Sequence, residues 1–240
     1  MTEKIFLDKN VLVGSSLKIE YGEKRYEDRF HNESIKIFDL FEESNDVEGW
    51  VFSEEVERVK KILENIIDSN FAMSYTRDLI YRKCRQNLEK NMKNLGTIRV
   101  ERSDYSDFMN DVEDFYRELE EILDKNFMDR EQALFELKEN GIYYKNAEEI
   151  AEKIDDSCYN KLRQKIVDEP ATQEDMRLLA KINYLSKQVD SQIYFASTDY
   201  HFSPIKNNGM PSDNFISDRI EEFFGIICDW PDALYEELSG

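Results

Sequence analysis

The sequence predicts an α/β protein, a three-layer α/β/α fold with a central, mostly parallel sheet and a large helical insertion at about residues 70–168. Three observations predict it. Apolar runs of strand character lie at both ends of the chain: KIFLD at 4–8, GWVFS at 49–53 and QIYFAST at 192–198. Helical periodicity flanks them, and strand–helix alternation implies parallel strands covered by helices. The chain has only 8 Gly and 4 Pro in 240 residues, so its middle reads as long helices with few breaks. Residues 1–240 are read as one domain carrying the insertion. An all-helical chain with incidental end strands is the rival architecture.

Taken in order, residues 4–8 and VLV at 11–13 read as one short buried strand that turns after Asp8. Residues 19–32 are polar and mixed, and SIKIFDLF at 34–41 has a helical or irregular apolar pattern. Ser53 is a good N-cap for a helix in which Val56, Val59, Ile62, Leu63 and Ile66 recur at helical spacing. FYRELEEILDKNF (115–127) and AEEIAEKIDDSCYNKLRQKIV (147–167) are amphipathic helical stretches. Between them and the N-terminal part, Asn94-Leu95-Gly96 is a helix stop, and TIRV (97–100) is a small strand or a loop. ATQEDMRLLAKINYLSKQ (171–188) reads as a helix capped by Thr172, with Leu178, Leu179, Ile182 and Leu185 inward. QIYFAST, the best strand in the chain, ends at Asp199. A helix at 217–223, the run FGIIC (224–228) and a turn at CDWP close the chain.

The composition narrows the function classes. With 40% hydrophobic residues and 12% aromatics the chain has material for a core, which excludes global disorder. The formal net charge of -20 gives no basic footprint for non-specific nucleic-acid binding, so any such contact needs a local basic patch or metal ions at an acidic site. Cys84, Cys158 and Cys228 are far apart and form no CxxC, and with His31 and His201 they match no zinc-site spacing. No run approaches the roughly 18 apolar residues of a membrane span, and Glu3 and Asp8 interrupt any signal sequence. A soluble, cytoplasmic protein is expected.

Sites in parallel α/β sheets form beyond the carboxyl ends of the strands. Asp8 ends the first strand, and Asp199 ends QIYFAST. Glu54 and Glu55 follow the second strand, and Glu174 and Asp175 open the helix leading into the last of these strands. Each has an ordinary reading. Asp8 and Asp199 suit turns, Glu54 and Glu55 suit a helix dipole, and Asp175 fits a capping box with Thr172. Together they fall where a site would lie. Gathered carboxylates repel unless hard cations such as Mg²⁺ or Mn²⁺, which favour oxygen ligands, hold them.

Phe6-Leu7-Asp8-Lys9-Asn10-Val11-Leu12 resembles the opening LDxNVL of the PIN-domain family, and Ser197-Thr198-Asp199-Tyr200-His201-Phe202 resembles its late TxDxxF signature. This is the metal-dependent ribonuclease fold of many toxins of toxin–antitoxin pairs and of RNA-processing nucleases. The similarity covers roughly residues 3–60 and 170–230. It implies that Asp8 is the first metal-binding acid and Asp199 the late one. Asn10 would fix the turn, and Ser197 would take the place of the family's hydroxyl two residues before the late acid. A third acid that starts a helix written D-x-x-(L/I) fits Asp175 with Leu178, with Glu174 as its neighbour. The second acid, a Glu followed by an apolar core residue, fits Glu55-Val56, with Glu54 in reserve. Where many members carry another acid two residues after the late Asp, this chain has His201.

The resemblance therefore implies a hydrolase: a magnesium- or manganese-dependent endoribonuclease cleaving phosphodiester bonds in RNA, with Asp8, Glu55, Asp175 and Asp199 around one or two ions. Lys9, Lys206 and the cluster Arg82-Lys83-Arg85 are candidate substrate contacts, the cluster also reading as an ordinary exposed helix face. The alternative is a catalytically degenerate PIN fold serving as a protein-binding or assembly module. An antitoxin or other protein partner, a homo-oligomer, and RNA versus DNA as substrate are left open by the sequence.

Overall fold

The computed structural model describes residues 2–21, 24–71, 74–125, 173–199, 202 and 215–239. The predicted helix at 147–167, the Thr172 cap, Cys158, His201 and Lys206 lie outside the described residues. The fold class is the predicted α/β one. Five strands form one sheet: β1 (Glu3–Leu7), β4 (Val47–Phe52), β5 (Leu95–Ile98), β6 (Ile193–Ala196) and β7 (Ile226–Asp229), in the order β5-β4-β1-β6-β7. Every pairing is parallel. The helices among the described residues are α1 (Lys9–Ser16), α2 (His31–Glu43), α3 (Ser53–Asn70), α4 (Ser74–Asn91), α5 (Arg102–Lys125), α6 (Gln173–Ser186), α7 (Phe215–Phe224) and α8 (Pro231–Leu238). A separate antiparallel hairpin pairs β2 (Lys18–Tyr21) with β3 (Lys24–Glu27).

The chain divides into two compact units, one of residues 1–99, 191–203 and 226–240, the other of residues 100–190 and 204–225. The whole sheet belongs to the first. The strands at its middle, β4, β1 and β6, bury residues of both faces toward their carboxyl ends, whereas the edge strand β5 has no buried residue. Successive side chains alternate between the faces. Ile5 and Leu7 of β1, Val47 and Val51 of β4, and Tyr194 and Ala196 of β6 join one core with Val11 and Leu12 of α1, Ile37 of α2, Val59, Leu63 and Ile67 of α3, and Leu234 of α8. On the opposite face Phe6 stacks on Phe52 at 5.5 Å between ring centroids, and Phe195 meets Phe202 edge-on at 5.1 Å. All four rings are buried. Helices flanking a sheet whose two faces are both buried make the three-layer arrangement.

Several elements differ from the sequence reading. VLV at 11–13 belongs to helix α1: Asp8 is extended, and the Val11 and Leu12 amides already donate to its carbonyl at 3.1 and 3.4 Å. Ser53 is the first helical residue of α3 and Phe52 stands at the cap position, with no side-chain cap bond. Part of TIRV is strand β5, which pairs with β4, so residues 74–98 belong with the sheet. The polar segment 19–32 holds most of the hairpin and the start of α2, and the turn read at CDWP leads into α8 with Pro231 in its first turn.

In the second unit α5 packs along α6. Tyr105, Val112, Phe115 and Leu119 form the buried stripe of α5, Phe108 meets Tyr184 edge-on at 5.5 Å, and Phe115 lies 5.2 Å from Phe224. Asn183 donates to Asp111 at 3.4 Å. Helix α7 ends at Gly225, whose φ of 69° lies in the left-handed region and whose amide donates to the Glu221 carbonyl at 2.8 Å. A Cβ there would meet nothing within 4 Å, so the requirement for glycine is purely conformational. Gly225→Ala is therefore expected to lower stability by about 1–2 kcal/mol with no change in fold, read as a lower urea midpoint at an unchanged slope.

Lys181 of α6 is 4% exposed, with its ammonium 5.4 Å from the centre of the Tyr105 ring. Burial disfavours the charged form and lowers the amine to about 8 from an ordinary 10.5. Below pH 8 both folded and unfolded chains hold the proton, and the folded state bears the desolvation cost. Between about 8 and 10.5 only the unfolded chain holds it, so this group makes stability rise with pH. Urea titrations should find that Lys181→Met removes a rise of stability between about pH 8 and pH 10.5 that the wild-type chain shows.

Candidate functional site

The sheet topology singles out one place. From β1 the chain moves to β4 and β5 on one side, and from β6 it moves to β7 on the other. The crossover direction therefore reverses between β1 and β6, and ligand crevices of open parallel sheets lie at such switch points, beyond the carboxyl ends of the strands. The residues leaving those two strands are Asp8 and the Ser197-Thr198-Asp199 segment.

They are tied together. Register pairs Leu7 with Ala196, and the Asp8 amide continues the ladder by donating to the Ala196 carbonyl at 3.0 Å. Ser197 Oγ then donates to Asp8 Oδ2 at 2.8 Å and accepts the Asp199 amide at 3.0 Å. One fully buried hydroxyl thus orients the carboxylate of Asp8, itself 1% exposed, and sets the turn that carries Asp199. The Ser197 amide donates to the Asp229 carbonyl at 3.2 Å, which locks the segment to β7. The Phe202 amide donates to the Asp199 carbonyl at 3.1 Å, and buried Phe202 pins the far side of the turn.

Glu55 enters from the neighbouring strand. Phe6 of β1 lies opposite Trp50 of β4, so Asp8 and Phe52 each follow two residues later, with α3 starting at the next residue. Parallel strands are about 4.8 Å apart, so the first turn of α3 opens beside Asp8 on the same rim. Glu55 there is 1% exposed while Glu54 is exposed. Arg58 donates to Glu55 Oε1 at 2.7 Å. Asn10 lies in the first turn of α1 and is half-buried. Asp175 is the third residue of α6, in the second unit; it is buried, whereas Glu174 is exposed.

The sequence reading did not single out Arg58, although its i,i+3 spacing from Glu55 is a standard ion-pair signal. It also passed over two acids at and just beyond the carboxyl end of β7. Asp229 ends β7 and accepts the Trp230 amide at 2.6 Å, and Asp232 lies in the first turn of α8, 7% exposed. Asp229 directly follows the apolar run FGIIC, the same signal that marks Asp8 and Asp199.

Asp8, Glu55 and Asp199 offer only oxygens, the ligands Mg²⁺ and Mn²⁺ favour. The hydroxyl on Asp8 resembles the outer hydrogen bonds that orient carboxylate ligands. Among the described residues, no group of three or more His, Cys, Asp or Glu side chains stands ready to hold a metal ion. Burial raises the Cys84 thiol to about 11, so it is no thiolate nucleophile at neutral pH. No helix among the described residues is long and apolar enough to cross a membrane.

The chain matches no family model, no curated protein and no solved structure. The case for a function rests on the residues themselves. Ser197→Ala removes a hydrogen bond to a buried carboxylate and should cost about 1.5–3 kcal/mol, measured by urea unfolding, whereas Ser197→Thr, which keeps the hydroxyl, should recover part of the loss.

Proposed function

We propose that this rim is the active site of a PIN-like, Mg²⁺- or Mn²⁺-dependent endoribonuclease. The observation that carries the reading is the Ser197 bridge: at the switch point of a parallel sheet, one hydroxyl connects two acid-bearing segments, Ser197 standing 189 positions from Asp8 in the chain. Asp8, Asp199 and Glu55 would hold the ion, and the resemblance alone assigns Asp175 to them. Bound there, such an ion supplies an activated water and neutralises charge on phosphorus and the leaving oxygen. The chain's own contribution is to fix the acids. Ser197 orients Asp8, the β1–β6 ladder sets its depth, and the turn closed by Phe202 sets Asp199.

The test is cleavage of a labelled RNA by purified protein with and without Mn²⁺. Asp8→Asn and Asp199→Asn, near-isosteric changes, should each reduce the rate to below about one hundredth, and Ser197→Ala should reduce it about 10–100-fold. Metal-independent cleavage that survives both Asn substitutions would reject the assignment.

A second reading, a degenerate PIN fold that binds or assembles proteins, is favoured by one observation. The buried Glu55 carboxylate is already neutralised by Arg58 at 2.7 Å. Thermal melting during Mn²⁺ titration separates the two. A working site is stabilised by about 2.7 kcal/mol at one hundred times its dissociation constant, while a protein-binding module shows no shift.

A further inference from the structure

We infer that the outer face of α4 is a docking stripe for single-stranded RNA. The inference rests on the ribonuclease reading for the nature of the ligand and on α4 for the place. In a chain of net charge -20, α4 runs against the trend: Arg77, Arg82, Lys83, Arg85 and Lys90 face only Asp78 and Glu89 along its length, and Lys93 follows in the next turn. Ile80, Cys84 and Leu88 are its buried side, and the Asn87 and Asn91 amides hold it to α1 through the Ser16 carbonyl at 3.2 Å and Ser15 Oγ at 3.0 Å. At about 100° per residue, Tyr75, Leu79, Arg82, Lys83, Gln86 and Lys90 then share one arc about 100° wide on the other side. All six are exposed.

Two features separate this arc from an ordinary solvated face. First, its charges are unspent. Arg77 is bound to Asp68 at 3.1 Å and Arg85 to Glu89 at 3.0 Å, but Arg82, Lys83, Lys90 and Lys93 make no ion pair among the described residues. Second, three large hydrophobic side chains are exposed among the described residues, and two of them, Tyr75 at 70% and Leu79 at 40%, lie on this arc. A flat ring beside a row of cations is the combination that binds single strands: the cations follow the phosphates and a base stacks on the ring. An acidic protein segment would meet the cations but leave the ring without a purpose. From Tyr75 to Lys93 the stripe is about 27 Å long at 1.5 Å per residue, room for about eight stacked nucleotides. The acidic remainder of the surface repels a polyanion, so this stripe fixes where the strand lies.

The test uses the full chain carrying Asp8→Asn, without divalent metal, and a fluorescein-labelled 12-nucleotide single-stranded RNA read by anisotropy. Four phosphate contacts give a slope of about -2.8 in log affinity against log salt, an approximately fifty-fold weakening from 50 to 200 mM. Adding Arg82→Glu, Lys83→Glu and Lys90→Glu together should weaken binding at least about thirty-fold. Tyr75→Ala should weaken it about tenfold, with circular dichroism and melting unchanged because these side chains are exposed. Binding that ignores the charge reversal or the salt would overturn the stripe. So would a stripe that takes polyglutamate and leaves RNA unbound. The two readings fail separately. If the chain with Asp8 intact cleaves RNA and the charge-reversed version cleaves it equally well, the stripe is wrong and the nuclease stands. If the stripe binds RNA and no cleavage occurs under any metal, the stripe stands and the nuclease is wrong.

Discussion

The pairing of β1 with β6 is the constraint on which the rest of this structure depends. Its last rung, from the Asp8 amide to the Ala196 carbonyl, brings two distant parts of the chain to a common end. Without that rung Ser197 has no carboxylate to orient. The register matters as much as the pairing. A slip of one residue would turn Ile5 and Leu7 away from the core they share with α1 and α3 and put Phe6 in their place, and side-chain alternation makes such a slip costly along the whole strand. Burial of both faces of the sheet therefore holds the site in place, although it contributes no chemistry.

That division shows in how the acids are treated. Asp8 and Glu55 are buried carboxylates at the ends of adjacent strands, yet their local partners differ. Asp8 accepts a hydrogen bond from the neutral Ser197 hydroxyl, which orients it. Glu55 meets a guanidinium, which compensates it. A buried carboxylate beside an arginine is explained by the pair alone. This contrast is why the weight of the functional reading falls on the β1–β6 side of the rim.

Much of this was legible in the sequence, for a simple reason. Asp8 and Asp199 each follow an apolar run closely, and a buried strand that ends in an acid announces both its end and its rim. That Glu55 turns inward and Glu54 outward needed only the helical period shared with Val59 and Leu63. Other parts were not legible. VLV at 11–13 is too short to show a period, so a helix buried from Val11 to Ser16 reads like a strand. The two strands of the hairpin are four residues each, and Ile19 and Tyr21 alternate with Lys18 and Glu20 over too short a run to stand out. Pro231 was read as a turn, yet proline is at home in the first turn of a helix, where its missing amide costs nothing. Which part of the long helical text belongs with the sheet depended on β5, four residues whose identity is set by pairing with β4 and not by their own composition.

The central strand is made early and completed late. During synthesis β1 gains its neighbour β4 once about fifty residues exist, but its other edge waits for Ile193–Ala196. At ribosomal speeds of 5–20 residues per second that interval is about 7–30 s, in which an apolar edge with open backbone groups stands in the nascent chain. The same separation makes the closing contact expensive in loop entropy and slow to form. The chain is thus obliged to shelter this apolar edge while the residues between the two strands emerge, and the net negative charge of the chain offers a means: nascent chains that repel one another meet less often.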